Sequence, residues 1–263
     1  MKRIRQAQGR RQIQVMGSDT TFVVCNTEQV TIAVGVDAGA GDVLEIELVD
    51  AESIDALRPF IDRPMELFQV EVLLSDDQDT YKTIADDMAV KHSVCRAHAN
   101  RNVAKLVGQL GTQALERPDP IPEGLDVTVE QFIDDLEYYQ LVVALRPHDG
   151  AERLRQLYQR YLHAPPPREG EKASMWYRFR LAVLKWWENW PRLTLDHHWV
   201  SAGGQVLDGT NNVTERAIGW WIKERYRTMR TYKGKQSVLN ISNLITYLGA
   251  HSGEVDLADL LAA

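Results

Sequence analysis

Strand-forming sequence is confined to roughly the first 95 of 263 residues, and nearly everything after it reads as helix. That division limits the fold to a sheet completed early and then covered or extended by helices. Ile13–Val15 and Phe22–Cys25 form one extended run around Asp19. Val30–Val36 is almost continuously apolar and β-branched, and Val43–Val49 alternates Val, Leu and Ile with acids. Turn residues separate these runs at Asn26-Thr27-Glu28 and Ala38-Gly39-Ala40-Gly41, which predicts an antiparallel three-stranded meander.

A short helix is expected over Ser53–Asp62, capped by Ser53 and ended before Pro64. The wholly apolar Phe68–Leu74 reads as a fourth strand buried on both faces, followed by a helix over about Asp79–Ala89 and a fifth strand near Ser93–Val94. The order β-β-β-α-β-α-β is that of an α/β fold with a mixed sheet, as in ribonuclease H-like domains. Helices are then predicted over Asn100–Leu115, Val129–Leu145, Gly150–His163, Ser174–Trp190, Asn212–Arg230 and Ile241–Leu248. Residues 1–11 read as a basic arm or linker remnant, and 251–263 as a C-terminal tail.

Charge is divided along the chain. Residues 1–150 hold 14 Lys and Arg against 26 Asp and Glu, a net −12, whereas residues 151–263 hold 16 against 11, a net +5. Seven bases and two acids fall within 215–235. An acidic half suits a divalent cation and a basic half suits phosphate; a solvated surface with chance clustering is the bland alternative. No apolar run approaches the roughly 18–20 residues of a membrane span, and no signal core is present, so no membrane partner is expected. Two cysteines, Cys25 and Cys95, give no disulfide framework and fit a reducing, cytoplasmic compartment.

Three acids carry the chemistry. Asp19 interrupts a strand, where Asp is disfavoured, so it is either a bulge residue or functional. Asp37 competes with it, although Asp37–Gly41 reads as a hairpin turn. Asp76 follows the buried fourth strand, at the end where active-site groups collect in open sheets. It could instead cap the next helix, and Asp77 rivals it. Glu215, in Thr210–Arg216 (TNNVTER), fits the N3 position of a capping box begun by Asn212. It also continues an apolar stripe through Ile218, Gly219, Ile222 and Tyr226. Two Mg²⁺ ions about 4 Å apart can serve phosphodiester cleavage on such carboxylates alone, without a histidine base.

On these residues the chain resembles the catalytic domain of DDE transposases of prokaryotic insertion sequences, with Mutator-like features. The motifs are SDTTFVV around Asp19, LLSDDQDTY around Asp76, HSVCRAHANRN from His92 to Asn102, TNNVTERAI around Glu215, and the basic KERYRTMRTYKGKQS after it. The resemblance spans about Gln14 to Leu248 and implies that Asp19, Asp76 and Glu215 are catalytic and bind two Mg²⁺ or Mn²⁺ ions. It implies DNA contacts by Asn211, Asn212, Arg216, Lys223, Arg225, Arg227, Arg230 and Lys233. Asp76 and Glu215 are 139 residues apart, which implies a helical insertion over about 100–205 within a core made of 12–99 and 206–250. The tryptophans of that insertion (Trp176, Trp186, Trp187, Trp190 and Trp199) read as core; in some relatives an aromatic of this region stacks on a flipped base. Cys95 and His98 form the family's Cys-x-x-His segment. Zinc is not expected, because tetrahedral sites pair two half-motifs and one is present unless His197-His198 completes it.

The resemblance implies DNA cleavage and strand transfer at transposon ends, by a homodimer or larger assembly in the cytoplasm at the nucleoid. Only eleven residues precede the first strand, so the family's N-terminal DNA reader is expected to be missing, as in a truncated copy, a fragment or a domesticated relative. Two alternatives remain at this point: a structure-selective nuclease on the same fold, and an inactive DNA-binding relic.

Overall fold

The computed structural model describes residues 12–229 and 234–250. The expected arm and tail lie outside the described residues. Five strands form one sheet: β1 (Val15–Cys25), β2 (Glu28–Asp37), β3 (Val43–Val49), β4 (Val72–Ser75) and β5 (Lys91–Val94), in the spatial order β3-β2-β1-β4-β5. The first three make the expected antiparallel meander, and β4 joins β1 in parallel. This mixed sheet with a central β1 is the ribonuclease H-like arrangement. Two-residue periodicity divides β1 cleanly. Met16 belongs to a core with Phe60, Ile61 and Tyr81 on one face, while Val23 and Cys25 belong to a core with Ala217, Ile218, Ile222 and Val238 on the other.

Helices α1 (Ile54–Phe68) and α2 (Asp79–Asp87) cover the first face. The first corrects the sequence expectation, since it runs through Pro59 and Pro64 to Phe68 instead of stopping before Pro64. An internal proline costs about 3 kcal/mol, yet burying a large apolar side chain returns roughly 1.5–3 kcal/mol. Leu57, Phe60, Ile61, Met65 and Phe68 are all buried along this helix. Phe68 therefore closes a helix, and the fourth strand shrinks to Val72–Ser75. Ser53 caps α1 as expected, its hydroxyl accepting from the Ala56 amide at 3.4 Å.

Contacts divide the chain into two compact units, one of residues 1–93 with 199–263 and one of residues 94–198. The second is helical: α3 (Arg96–Glu116), α4 (Val129–Leu145), α5 (Gly150–Arg160), α6 (Met175–Glu188) and α7 (Trp190–Leu193). Phe132 anchors its core, edge-on to Trp176 at 4.8 Å and to Phe179 at 5.3 Å. Trp176, Trp186 and Trp190 are buried there and Trp187 packs against them, which accounts for four of the five tryptophans as core. Back in the sheet unit, α8 (Asn212–Ala217), a π-helical turn (Ile218–Lys223) and α9 (Glu224–Met229) run on continuously, and α10 (Lys235–Ala250) follows, longer than the expected Ile241–Leu248.

In the helical unit, a methyl group on Gly150 would overlap the six-membered ring of Trp190. Replacing an exposed helical glycine by alanine ordinarily gains about 1 kcal/mol. Gly150→Ala is expected to do the reverse, lowering stability by about 1–3 kcal/mol through overpacking. Urea unfolding followed by tryptophan fluorescence checks the sign; a stabilised variant would contradict this packing.

Candidate active site

The parallel register between β1 and β4 sets the positions of the two aspartates. Met16 lies opposite Leu73, and Gly17 opposite Leu74. Asp76 comes just after β4, which ends at Ser75, while Asp19 follows Gly17 by two residues and, by alternation, stands on the same face of β1 as Gly17. That face carries α8. Asn211 donates its side-chain amide to the Ser18 carbonyl at 3.0 Å. A methyl group on Gly17 would overlap the Thr214 hydroxyl and come within 2.9 Å of Asn211 Oδ1. Glycine at 17 therefore permits the first turn of α8 to rest directly on β1, bringing the helix of Glu215 to the β1 face that bears Asp19.

The candidate acids differ in burial and in their neighbours. The Asp37 carboxylate accepts from the Gly39 amide at 2.8 Å and the Ala40 amide at 3.3 Å, closing the β2–β3 turn. Asp77 is buried and pairs with the equally buried Lys82 at 3.3 Å. Asp19 and Asp76 are both half-buried; Asp19 accepts from the Thr20 amide at 2.8 Å, and Asp76 accepts from the Gln78 amide at 3.2 Å. Glu215 is half-buried too, and it lies one position beyond the capping-box place the sequence suggested. The cap is Asn211, so the third helical residue is Thr214, while the Glu215 amide bonds the Asn211 carbonyl at 3.0 Å.

Tyr81 reports on the surroundings of the aspartates. Burial raises its pKa far above the usual phenol range, a hydrogen bond from Ser18 opposes this, and the charges of Asp76, Asp19 and Glu52 add to the rise. Glu52 was not anticipated from sequence. Its carboxylate accepts from the Thr20 hydroxyl and from the Gln78 side chain at 3.0 Å, and its carbonyl accepts from Thr80. It thus ties the residue after Asp19 to the turn after Asp76. Glu52 sits in the link between β3 and α1, where neither periodicity nor a motif marks it.

Among the described residues, no three His, Cys, Asp or Glu side chains are gathered into a ready-made metal cluster. The donors nevertheless suit Mg²⁺, which takes hard oxygens and is commonly held by one or two carboxylates together with substrate phosphates. Cys95 is fully buried at the start of α3, and His92 bonds the Ser75 hydroxyl at 2.9 Å.

The expected DNA contacts are not alike in position. Asn211 is 1% exposed and its amide holds β1, whereas Asn212, Arg216, Lys223 and Arg227 are exposed. Arg227 also pairs with Glu224 at 2.6 Å, an exposed pair of small energetic consequence. Arg230 and Lys233 lie outside the described residues, as does the side chain of Arg225.

No protein family known from sequence matches this chain, and no curated protein does. Among solved structures, the HTLV-2 integrase catalytic core domain in complex with magnesium is 13% identical, with a TM-score of 0.29 over 49% of this chain and 84% of that one. The catalytic core domain of BIV integrase is 13% identical, with a TM-score of 0.27 over 79% and 97%. The intasome of simian T-cell lymphotropic virus, in complex with the PP2A regulatory subunit B56 gamma, is 12% identical, with a TM-score of 0.29 over 50% and 48%. Scores of this size establish no kinship. Among the described residues, no helix is long and apolar enough to cross a membrane.

Gly17→Ala is expected to push α8 off β1 and to cost about 1–3 kcal/mol of stability. Urea unfolding measures this directly, and wild-type stability would mean that α8 does not rest on Gly17.

Proposed function

We propose that this chain is the catalytic domain of a DDE-type DNA transposase, cleaving phosphodiesters at transposon ends and joining the freed 3′-hydroxyl to target DNA. The reading is supported by Asp19 within β1 and Asp76 just beyond the end of the parallel neighbour β4, with the helix of Glu215 seated on the Asp19 face of β1. Asp19, Asp76 and Glu215 would hold one or two Mg²⁺ or Mn²⁺ ions, whose chemistry is to activate the attacking oxygen and stabilise the departing one. In each step a bond forms from the attacking oxygen, of water or of the 3′-hydroxyl, to phosphorus, while the bond from phosphorus to the leaving 3′-oxygen breaks. Glu52 holds the Asp19 and Asp76 segments in register through Thr20 and Gln78. Arg216, Lys223 and Arg227, with Arg225, Arg230 and Lys233 in sequence beyond them, present cations to the DNA phosphates, and joining two transposon ends calls for a dimer or larger assembly.

The absence of a ready-made three-ligand cluster among the described residues favours one other reading, a DNA-binding relic without activity. Glu215→Gln separates the two. Transposase chemistry predicts a loss of Mg²⁺-dependent nicking of at least about a hundredfold, together with joining of a precut 3′-hydroxyl end by the wild type. Wild-type protein that nicks no DNA would sink the enzymatic reading, and cleavage without joining would mark a nuclease.

A further inference from the structure

The helix that carries Glu215 also carries an exposed tryptophan that no core requires. Ala217, Ile218 and Ile222 turn into the sheet core, and Trp221 packs partly against it. Trp220 points away and is 71% exposed. It sits in the π-helical turn, where the Glu224 amide bonds the Gly219 carbonyl five residues back. One extra residue in a turn shifts the side-chain faces, and such turns recur at functional sites.

Two cavities flank this indole. One, of about 370 Å³, is lined by the Ala38–Gly41 turn together with Val213, Arg216 and Trp221. The other, of about 860 Å³, is lined by Asn212, Glu215, Arg216 and Gly219. Trp220 and Arg216 border both, and Gly219 leaves open space beside its backbone. Both are open depressions of the surface, accessible to a flat ring laid on the indole.

The surroundings select the occupant. Among the described side chains of Asn212–Met229, Trp220 is the one large apolar group that is exposed, and Asn212, Arg216, Lys223 and Glu224 around it are polar and exposed. A protein-docking face would gather further apolar neighbours at its centre. A lone indole beside a guanidinium, on a helix with further exposed cations, matches a nucleobase whose phosphate meets Arg216.

We propose that Trp220 is a stacking platform for an unpaired nucleobase at a DNA end, with Arg216 receiving the adjoining phosphate. This rests on the reading of Glu215 as part of a DNA-cleaving site, because the same cavity borders both side chains. The platform would take frayed or overhanging ends and leave intact duplex to the neighbouring cations.

The test measures binding with divalent metal omitted, so that an inactive protein still yields a result. A blunt duplex and the same duplex with a short single-stranded overhang are compared by fluorescence anisotropy, with 2-aminopurine in the overhang as a second reporter. Trp220→Ala is expected to weaken overhang binding by about tenfold, to leave blunt-duplex binding unchanged and to abolish 2-aminopurine quenching, while Trp220→Phe retains most of each. Equal overhang affinity of Trp220→Ala and wild type, or equal losses on both substrates, would overturn the proposal. Failure of nicking in the Glu215 experiment would leave this binding result standing on its own.

Discussion

The close approach of α8 to β1 is the contact on which the arrangement of acids depends. Side chains on β1 alternate between two cores, and the face that bears Asp19 is the one on which the first turn of α8 comes to rest. It rests there because position 17 has no side chain, and it is held there by the amide of Asn211 on the Ser18 carbonyl. With a larger residue at 17 the helix that carries Glu215 would ride higher on β1. The parallel pairing of β1 with β4 supplies the second half of the constraint, because it sets the end of β4, with Asp76 just beyond it, beside β1.

The candidate acids sit in different local settings. Asp37 spends its carboxylate on the amides of the β2–β3 turn, and Asp77 is buried against Lys82. Asp19, Asp76 and Glu215 are half-buried, a setting that keeps carboxylates within reach of water and of a polyanionic ligand. Glu52 adds a fourth acid whose bonds run sideways, to Thr20 and Gln78, and so brace the segments bearing the first two.

Much of this was legible in the sequence for physical reasons. β-Branched runs broken by turn residues gave β2 and β3 almost to the residue, and Asp19 stood out because strands disfavour it. Two things were hidden. Prolines 59 and 64 mimic a helix end, but the apolar stripe from Leu57 to Phe68 outweighs them, so strand and helix exchange Phe68. The helix of Glu215 begins with Asn211 as its cap, one residue earlier than a capping box would have it. Glu52 and Gly17 carry no local signal at all, since their parts are defined only by residues far away in the chain.

The central claim is that Asp19, Asp76 and Glu215 share a divalent cation on one face of the sheet. Diffraction from crystals soaked in Mn²⁺, using the anomalous signal of the metal, locates that ion without any assay of activity. The account predicts Mn²⁺ bound to Asp19 and Asp76, with Glu215 turned towards it, and no such peak in crystals of Asp76→Asn. Mn²⁺ bound at Asp37 or Asp77 instead, or no ordered metal in crystals that also contain DNA, would contradict it.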